Sequence, residues 1–182
     1  DMLLQAHTDA SYLSEPHARS RVAAHIFLGS TLTNNGCLDP HSTMLDVVVS
    51  SAAEAEFGAA FSGATHMLPM IQTLIFWGHP QKQVRVTMDN KAAVGIANST
   101  TKPRRSKAMD MRFHWLCCRE AQQQFQFVWD KGANNLADYF TKIHPLSIYR
   151  ERRPLYVVNS ISSLEGVSNH RHASHMDYYV LH

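Results

Sequence analysis

Four acidic residues of this chain could act together on one substrate: Asp9, Glu56, Asp89 and Asp138, in the strings HTDASY, SSAAEAEF, TMDNKAA and NNLADYFTK. They lie tens of positions apart, so only a fold can bring them to one place. Carboxylates collected in this way supply the oxygen ligands that hard cations such as Mg²⁺ take. Two such ions roughly 4 Å apart can activate a water and steady the leaving oxygen of a phosphodiester. Each acid also has a plainer reading. Asp9 could be a solvated turn residue, Asp89 an N-cap and Asp138 the polar face of a helix. Glu54 competes with Glu56 inside SSAAEAEF, and two helical positions apart the pair project about 200° from each other, so only one can face a shared site.

The elements needed to position these residues can be read from hydrophobic pattern and breakers. MLLQAHTDASY predicts a strand that ends at Asp9, and RVAAHIFLG predicts a second strand closing at Gly29, with Pro16 as a breaker between them. A turn around Asn34 to Gly36 leads into a third strand over Met44–Ser51. Ser50 or Ser51 then caps an Ala-rich helix, with Glu54 in its first turn and Pro69 marking a break or a second helix. Gln83–Asp89 predicts the fourth strand and NKAAVGIAN a short helix directly after it, which places Asp89 at a βα junction, a favoured position for ligand sites. Met109, Phe113, Leu116 and Cys117 mark one face of a helix over Ser106–Gln123, and Phe125–Trp129 is the fifth strand. Asn134 is placed to cap a final short helix, with Leu136, Phe140 and Ile143 packing and Asp138 facing elsewhere.

The chain has 182 residues, 45% of them hydrophobic, enough for one compact domain with a sizeable core. A formal charge of +2 does not by itself call for nucleic acid. Lys102, Arg104, Arg105, Lys107 and Arg112 nevertheless crowd into one stretch with only Asp110 against them, either a solvated face or a patch that grips phosphates. Cys37, Cys117 and Cys118 have no disulfide or zinc spacing, which favours a reducing compartment. No apolar run reaches the roughly 20 residues of a membrane span, so no membrane partner is expected. The chain opens on Asp1 rather than Met, as a domain of a longer polyprotein would. Residues 155–182 are polar and rich in Ser and His, and are expected to form a flexible tail.

Five strings, DASYLSEPHARSR, SSAAEAEF, MDNKAAVGI, RSKAMDMRFHW and NLADYFTK, occur in the order found in one known family. Through them the chain resembles, from about Leu3 to Pro154, the ribonuclease H domain of copia-type retrotransposon polyproteins. The resemblance implies an α/β, ribonuclease H-like fold over residues 1–154, a mixed five-stranded sheet with helices packed on its faces. It also implies a metal-dependent endonuclease that hydrolyses the RNA strand of RNA–DNA hybrids during reverse transcription. Asp9, Glu56, Asp89 and Asp138 would be its catalytic metal ligands, holding two Mg²⁺ ions (or Mn²⁺), with Asp9 shared between them. The family's Glu precedes an apolar residue, which selects Glu56, before Phe57, over Glu54. Ser11, Asn90, Lys102, Arg104, Arg105 and Lys107 would meet the nucleic acid. A reverse transcriptase domain of the same polyprotein is the implied partner, in an intracellular, cytoplasmic setting, with a virus-like particle or the nucleus as alternatives. One departure stands out. Many cellular members carry a mobile His shortly before the last Asp; KGANNLAD has none, and His144 reads as a helix-end cap.

Two other readings compete. A catalytically eroded module would keep the fold and bind hybrid without cutting, against which all four acids stand. An integrase-type core of the same superfold would use three acids and end in a helical Glu, whereas the late acid here is Asp138.

Overall fold

The computed structural model describes residues 2–29, 36–98, 100 and 110–157. Strand β1 (Leu4–Glu15) is longer than its hydrophobic pattern predicts, because it runs through Asp9 instead of ending there. It pairs antiparallel with β2 (Arg19–Leu28), and the register slips between Ser11 and Glu15, so the far end of the hairpin bulges. Pro16 sits in the single 3₁₀ turn that joins the two strands.

The third strand is not where the apolar run places it. β3 is Asp39–Met44, the polar segment DPHSTM, and the predicted strand over Met44–Ser51 is a loop entering the following helix. Leu45 and Val49 are buried, but as loop residues that plug the core. Pro40 is admitted in β3 because that strand is outermost, with a neighbour on one side only. Most of the predicted turn around Asn34 to Gly36 lies outside the described residues.

Helix α1 (Ala52–Phe76) is continuous through Pro69, contrary to the expected break. Pro69 is exposed, so the carbonyl its ring leaves without an N–H partner lies on the solvent side. The opposite face is built from Ala55, Ala59, Ala60, Gly63 and Ala64, then Met67, Ile71 and Leu74. Those small residues let the helix lie close on the sheet: a Cβ on Gly63 would come within 3.0 Å of Thr8 and 3.1 Å of Ala24.

β4 (Val84–Met88) and β5 (Phe125–Trp129) complete the sheet in the order β3-β2-β1-β4-β5, with β4 parallel to both β1 and β5. Helices α2 (Lys91–Ala97) and α3 (Asp110–Ala121) cross between β4 and β5, and Leu116 of α3 and Phe125 and Phe127 of β5 close that end of the core. Among the described residues no helix is long and apolar enough to cross a membrane.

The end of the chain departs most from expectation. Asn134 lies in a 3₁₀ turn and bonds the Asp130 carboxylate instead of capping a helix. The helix that follows, α4 (Asp138–Thr141), is a single turn, and Ile143 beyond it is 98% exposed rather than packed. A further helix, α5 (Leu146–Tyr156), was not foreseen. It returns Tyr156 onto Tyr139, Phe140 and His25, with its hydroxyl donating to the Leu136 carbonyl at 2.7 Å. That contact pins α4 and α5 to the face of the sheet opposite α1.

Candidate active site

β1 and β4 pair only from Gln5–Arg85 to His7–Thr87 and then part. Asp9 and Asp89 lie just beyond the last pair, on the two sides of the split. Glu56, one turn into α1, reaches into the same gap and accepts from the Ala10 amide at 3.2 Å. One carboxylate oxygen from each of Asp9, Glu56 and Asp89 lies within 4.8 Å of the others.

Local structure explains why these side chains are available. Asn90 takes the capping role: its Oδ1 accepts from the amides of Ala92 and Ala93 at 3.0 and 3.2 Å, which leaves the Asp89 carboxylate free of the helix start. At α1 the cap is Ser51, whose hydroxyl accepts from the Glu54 amide. Glu54 turns back to take the Ser50 amide and hydroxyl at 2.8 and 2.9 Å. The two glutamates thus divide their tasks as a 200° separation requires, Glu54 closing the helix start and Glu56 facing the aspartates.

Asp138 stands beside this trio without joining its oxygens. Its carboxylate is held by three basic groups: Lys142 at the i+4 position, Arg152 at 3.5 Å and His144 at 3.7 Å. His144 closes the helix end as expected, its Nε2 lying 3.0 Å from the Asp138 carbonyl, and it also neighbours the Asp138 carboxylate and stacks on Tyr139. The α4 segment is stitched to β1 by Asn135, which donates to the Thr8 carbonyl at 2.8 Å, by the Leu136 amide donating to His7 Nδ1 at 3.1 Å, and by the Thr141 hydroxyl donating to Asp9.

Burial of so much like charge has a clear electrostatic cost. Glu56, 7% exposed, is pushed up from 4.5 to about 9, first by burial and then by Asp9 and Asp89. Burial likewise raises Asp9 and Asp89, against the opposing pull of Lys142. The residues fit a cation. Among the described residues Glu56 Oε2 is buried with no hydrogen-bond partner, and the donor set is all carboxylate, the ligand type hard divalent ions take.

Of the residues expected at the nucleic acid, Ser11 lines an open cleft of about 590 Å³ beside the acids, together with Ser14, Arg21, Thr141 and Lys142. Asn90 uses its Oδ1 for the cap of α2. Lys102, Arg104, Arg105 and Lys107 lie outside the described residues. Three residues near the acids escaped the sequence reading, Thr141, Lys142 and Gly132, and Arg152, which the sequence suggests only as an alternative phosphate grip, instead pairs with Asp138. Lys142 alone had a signal, as the last letter of NLADYFTK four positions after Asp138, the spacing of neighbours on a helix face.

Gly132 matters through proximity. A Cβ there would come within 2.9 Å of Asp89 Oδ2. Gly132→Ala is expected to displace that carboxylate and weaken Mn²⁺ binding about tenfold while the melting temperature stays within about 3 °C, since the clash can be relieved by one flexible side chain. Calorimetric Mn²⁺ titration of the variant, with a thermal melt alongside, checks this; unchanged affinity would mean that the Asp89 carboxylate takes no part in binding.

The chain is similar to the retrovirus-related Pol polyprotein from transposon TNT 1-94 of Nicotiana tabacum, 26% identical over 145 residues, 80% of this chain. It spans 11% of that relative's length. No protein-family model matches it. Among solved structures it is similar to LC11-RNase H1, isolated from compost, with a TM-score of 0.58 at 15% identity, covering 77% of this chain and 93% of that one. The same enzyme in complex with an RNA/DNA hybrid gives 0.57 at 16% identity, with 75% and 92% covered. The N-terminal RNase H domain of a protein from Mycobacterium tuberculosis gives 0.51 at 15%, with 78% and 91% covered. The five-stranded sheet and its helices thus form a ribonuclease H fold.

Proposed function

We propose that this domain is a metal-dependent endonuclease that hydrolyses the RNA strand of RNA–DNA hybrids, acting beside a reverse transcriptase domain within a retroelement polyprotein. The observation that carries the reading is the convergence of Asp9, Glu56 and Asp89 at the split between β1 and β4, with an unpartnered buried oxygen on Glu56. Mg²⁺, with Mn²⁺ as a substitute, is the proposed ion, two per site, and Asp138 is the proposed fourth ligand.

Bound divalent ions would supply an activated water and charge neutralisation at the departing 3′ oxygen. The protein's own part is orientation. Glu56 is fixed by the Ala10 amide and Asp9 by the Thr141 hydroxyl, so both carboxylates are aimed before any ion arrives. The cleft holding Ser11 and Lys142 offers a hydroxyl and a cationic donor to a phosphate backbone entering from solvent, while Arg21 in the same cleft is paired with Glu15 at 2.6 Å. The products would carry 5′-phosphate and 3′-hydroxyl ends. Similarity to a transposon polyprotein and to an enzyme solved with an RNA/DNA hybrid supports the substrate. The direct test is incubation with labelled RNA–DNA hybrid with and without Mg²⁺, alongside double-stranded RNA and DNA. Metal-dependent cutting of the hybrid's RNA is expected, and hybrid binding without cleavage in Mg²⁺ or Mn²⁺ would favour the eroded-module reading.

The basic run gives a separate expectation. Replacing Arg104 and Arg105 together by Ala should weaken hybrid binding and flatten its salt dependence, each lost phosphate contact changing the log–log slope by about 0.9. Turnover at saturating substrate should be kept. Titrations at several salt concentrations decide it; superimposable lines for the two proteins would make this pair a solvated face.

A further inference from the structure

We propose that Lys142 gates the site: its ammonium occupies the approach to Asp9 and Asp138 that a cation must use, and it yields that position when a nucleic-acid phosphate draws it into the neighbouring cleft. The proposal rests on the metal-site reading above and adds to it a coupling between metal and hybrid. Lys142 Nζ pairs with Asp138 and lies 3.8 Å from Asp9 Oδ2, so one side chain spans two of the proposed ligands. The same side chain is nearly half exposed and lines the cleft with Ser11, Ser14 and Arg21. It thus has two sets of partners within reach, the carboxylates of Asp9 and Asp138 on one side and, on the other, an anion entering the cleft, whose own acid, Glu15, is already paired with Arg21 at 2.6 Å.

The reason the position is suited to a gate is its geometry on the chain. α4 is a single turn, and Lys142 is the residue at which the backbone leaves it for an extended conformation. The long side chain can swing without disturbing the Thr141 and Asn135 contacts that hold α4 on β1. A fixed positive charge near carboxylates competes with an incoming cation, and moving it to a phosphate removes the competition. Arg152 and His144 remain on Asp138 and keep its orientation while Lys142 moves. Coupling of this kind is reciprocal: if hybrid strengthens metal binding by some factor, metal strengthens hybrid binding by the same factor.

The test measures Mn²⁺ binding, through the electron paramagnetic resonance of the free ion, for the wild type, Lys142→Met and Lys142→Arg. Each is titrated alone and with a 2′-O-methyl RNA–DNA hybrid that resists cleavage. In the wild type the hybrid should strengthen Mn²⁺ binding about tenfold, within the usual range of allosteric couplings. Lys142→Met should bind Mn²⁺ about tenfold more tightly than the wild type without hybrid and show little further gain with it, because the one charge that spans Asp9 and Asp138 is gone while Arg152 stays on Asp138 in every variant. Lys142→Arg, which keeps the charge, should bind weakly when alone, as the wild type does. Equal Mn²⁺ affinity in the wild type and Lys142→Met would overturn the gate and leave the metal site standing. Absence of Mn²⁺ binding in all three proteins, with and without hybrid, would overturn the metal reading and the gate together.

Discussion

Asp89→Asn is expected to remove hybrid cleavage and leave the fold intact. The amide keeps the volume but not the charge, and among the described residues no other side chain bonds the Asp89 carboxylate, so nothing structural is lost. The contact that holds this segment in place runs through its backbone, where Trp129 Nε1 donates to the Asp89 carbonyl at 2.9 Å. A ligand lost at the reacting centre should reduce the rate at least about 1000-fold, on the order of 4 kcal/mol of transition-state stabilisation. Cleavage and circular dichroism measured on the same preparation check both halves. A variant that keeps activity within about tenfold of the wild type would remove Asp89 from the chemistry.

Glu56→Gln and Glu54→Gln should behave as opposites. Glu56→Gln is expected to abolish cleavage yet stabilise the metal-free protein at alkaline pH, since it removes a carboxyl whose charge is costly where it sits. Glu54→Gln should retain most cleavage and lose about 1 kcal/mol of stability, the usual scale for a damaged helix cap. The pH profile supplies the sign. With Glu56 raised from 4.5 to about 9, the folded protein holds a proton that the unfolded chain has released, so this group's contribution is complete below pH 4.5 and is lost as pH rises through about 9. His7 and His25 act oppositely. Burial lowers both from 6.5 to about 4, so their contribution is present above 6.5 and is lost as pH falls toward 4. The metal-free protein should therefore lose stability between about pH 6.5 and 9, and Glu56→Gln should flatten that decline. Mn²⁺ binding should release about one proton near neutral pH and tighten up to about tenfold per pH unit. Denaturant melts across pH, and Mn²⁺ titrations in two buffers of different ionisation enthalpy, test both statements. A decline that Glu56→Gln leaves untouched would place the buried charge elsewhere.

The acids were legible because each sits in a distinctive short string and because the strand and helix signals around them are local. β4, β5 and the start of α1 follow from the same kind of signal, and they deliver Asp89 and Glu56. What escaped notice depends on contacts between distant parts of the chain. MLDVVVSS carries a strand-like apolar run, but Leu45 and Val49 serve the core from a loop, while the polar DPHSTM pairs with β2 through its backbone, which side-chain pattern does not report. α5 has a strongly basic sequence with Pro154 inside it, and what places it is the packing of Tyr156 against Tyr139, Phe140 and His25. The surroundings of Asp138 were hidden for the same reason: Arg152 reaches it only because α5 folds back.

The proline in β3 also governs how these molecules meet one another. An outermost strand is a template for a strand from another copy, and long apolar edges are where sheets join into aggregates. β3 offers only six residues, Asp39–Met44, with Pro40 lacking the N–H that an added strand would need to bond. This side of the sheet is poorly suited to extension, so crowded copies of the domain are shielded there from edge-to-edge polymerisation, and Pro40→Val would give back the missing donor and make β3 a more adhesive border.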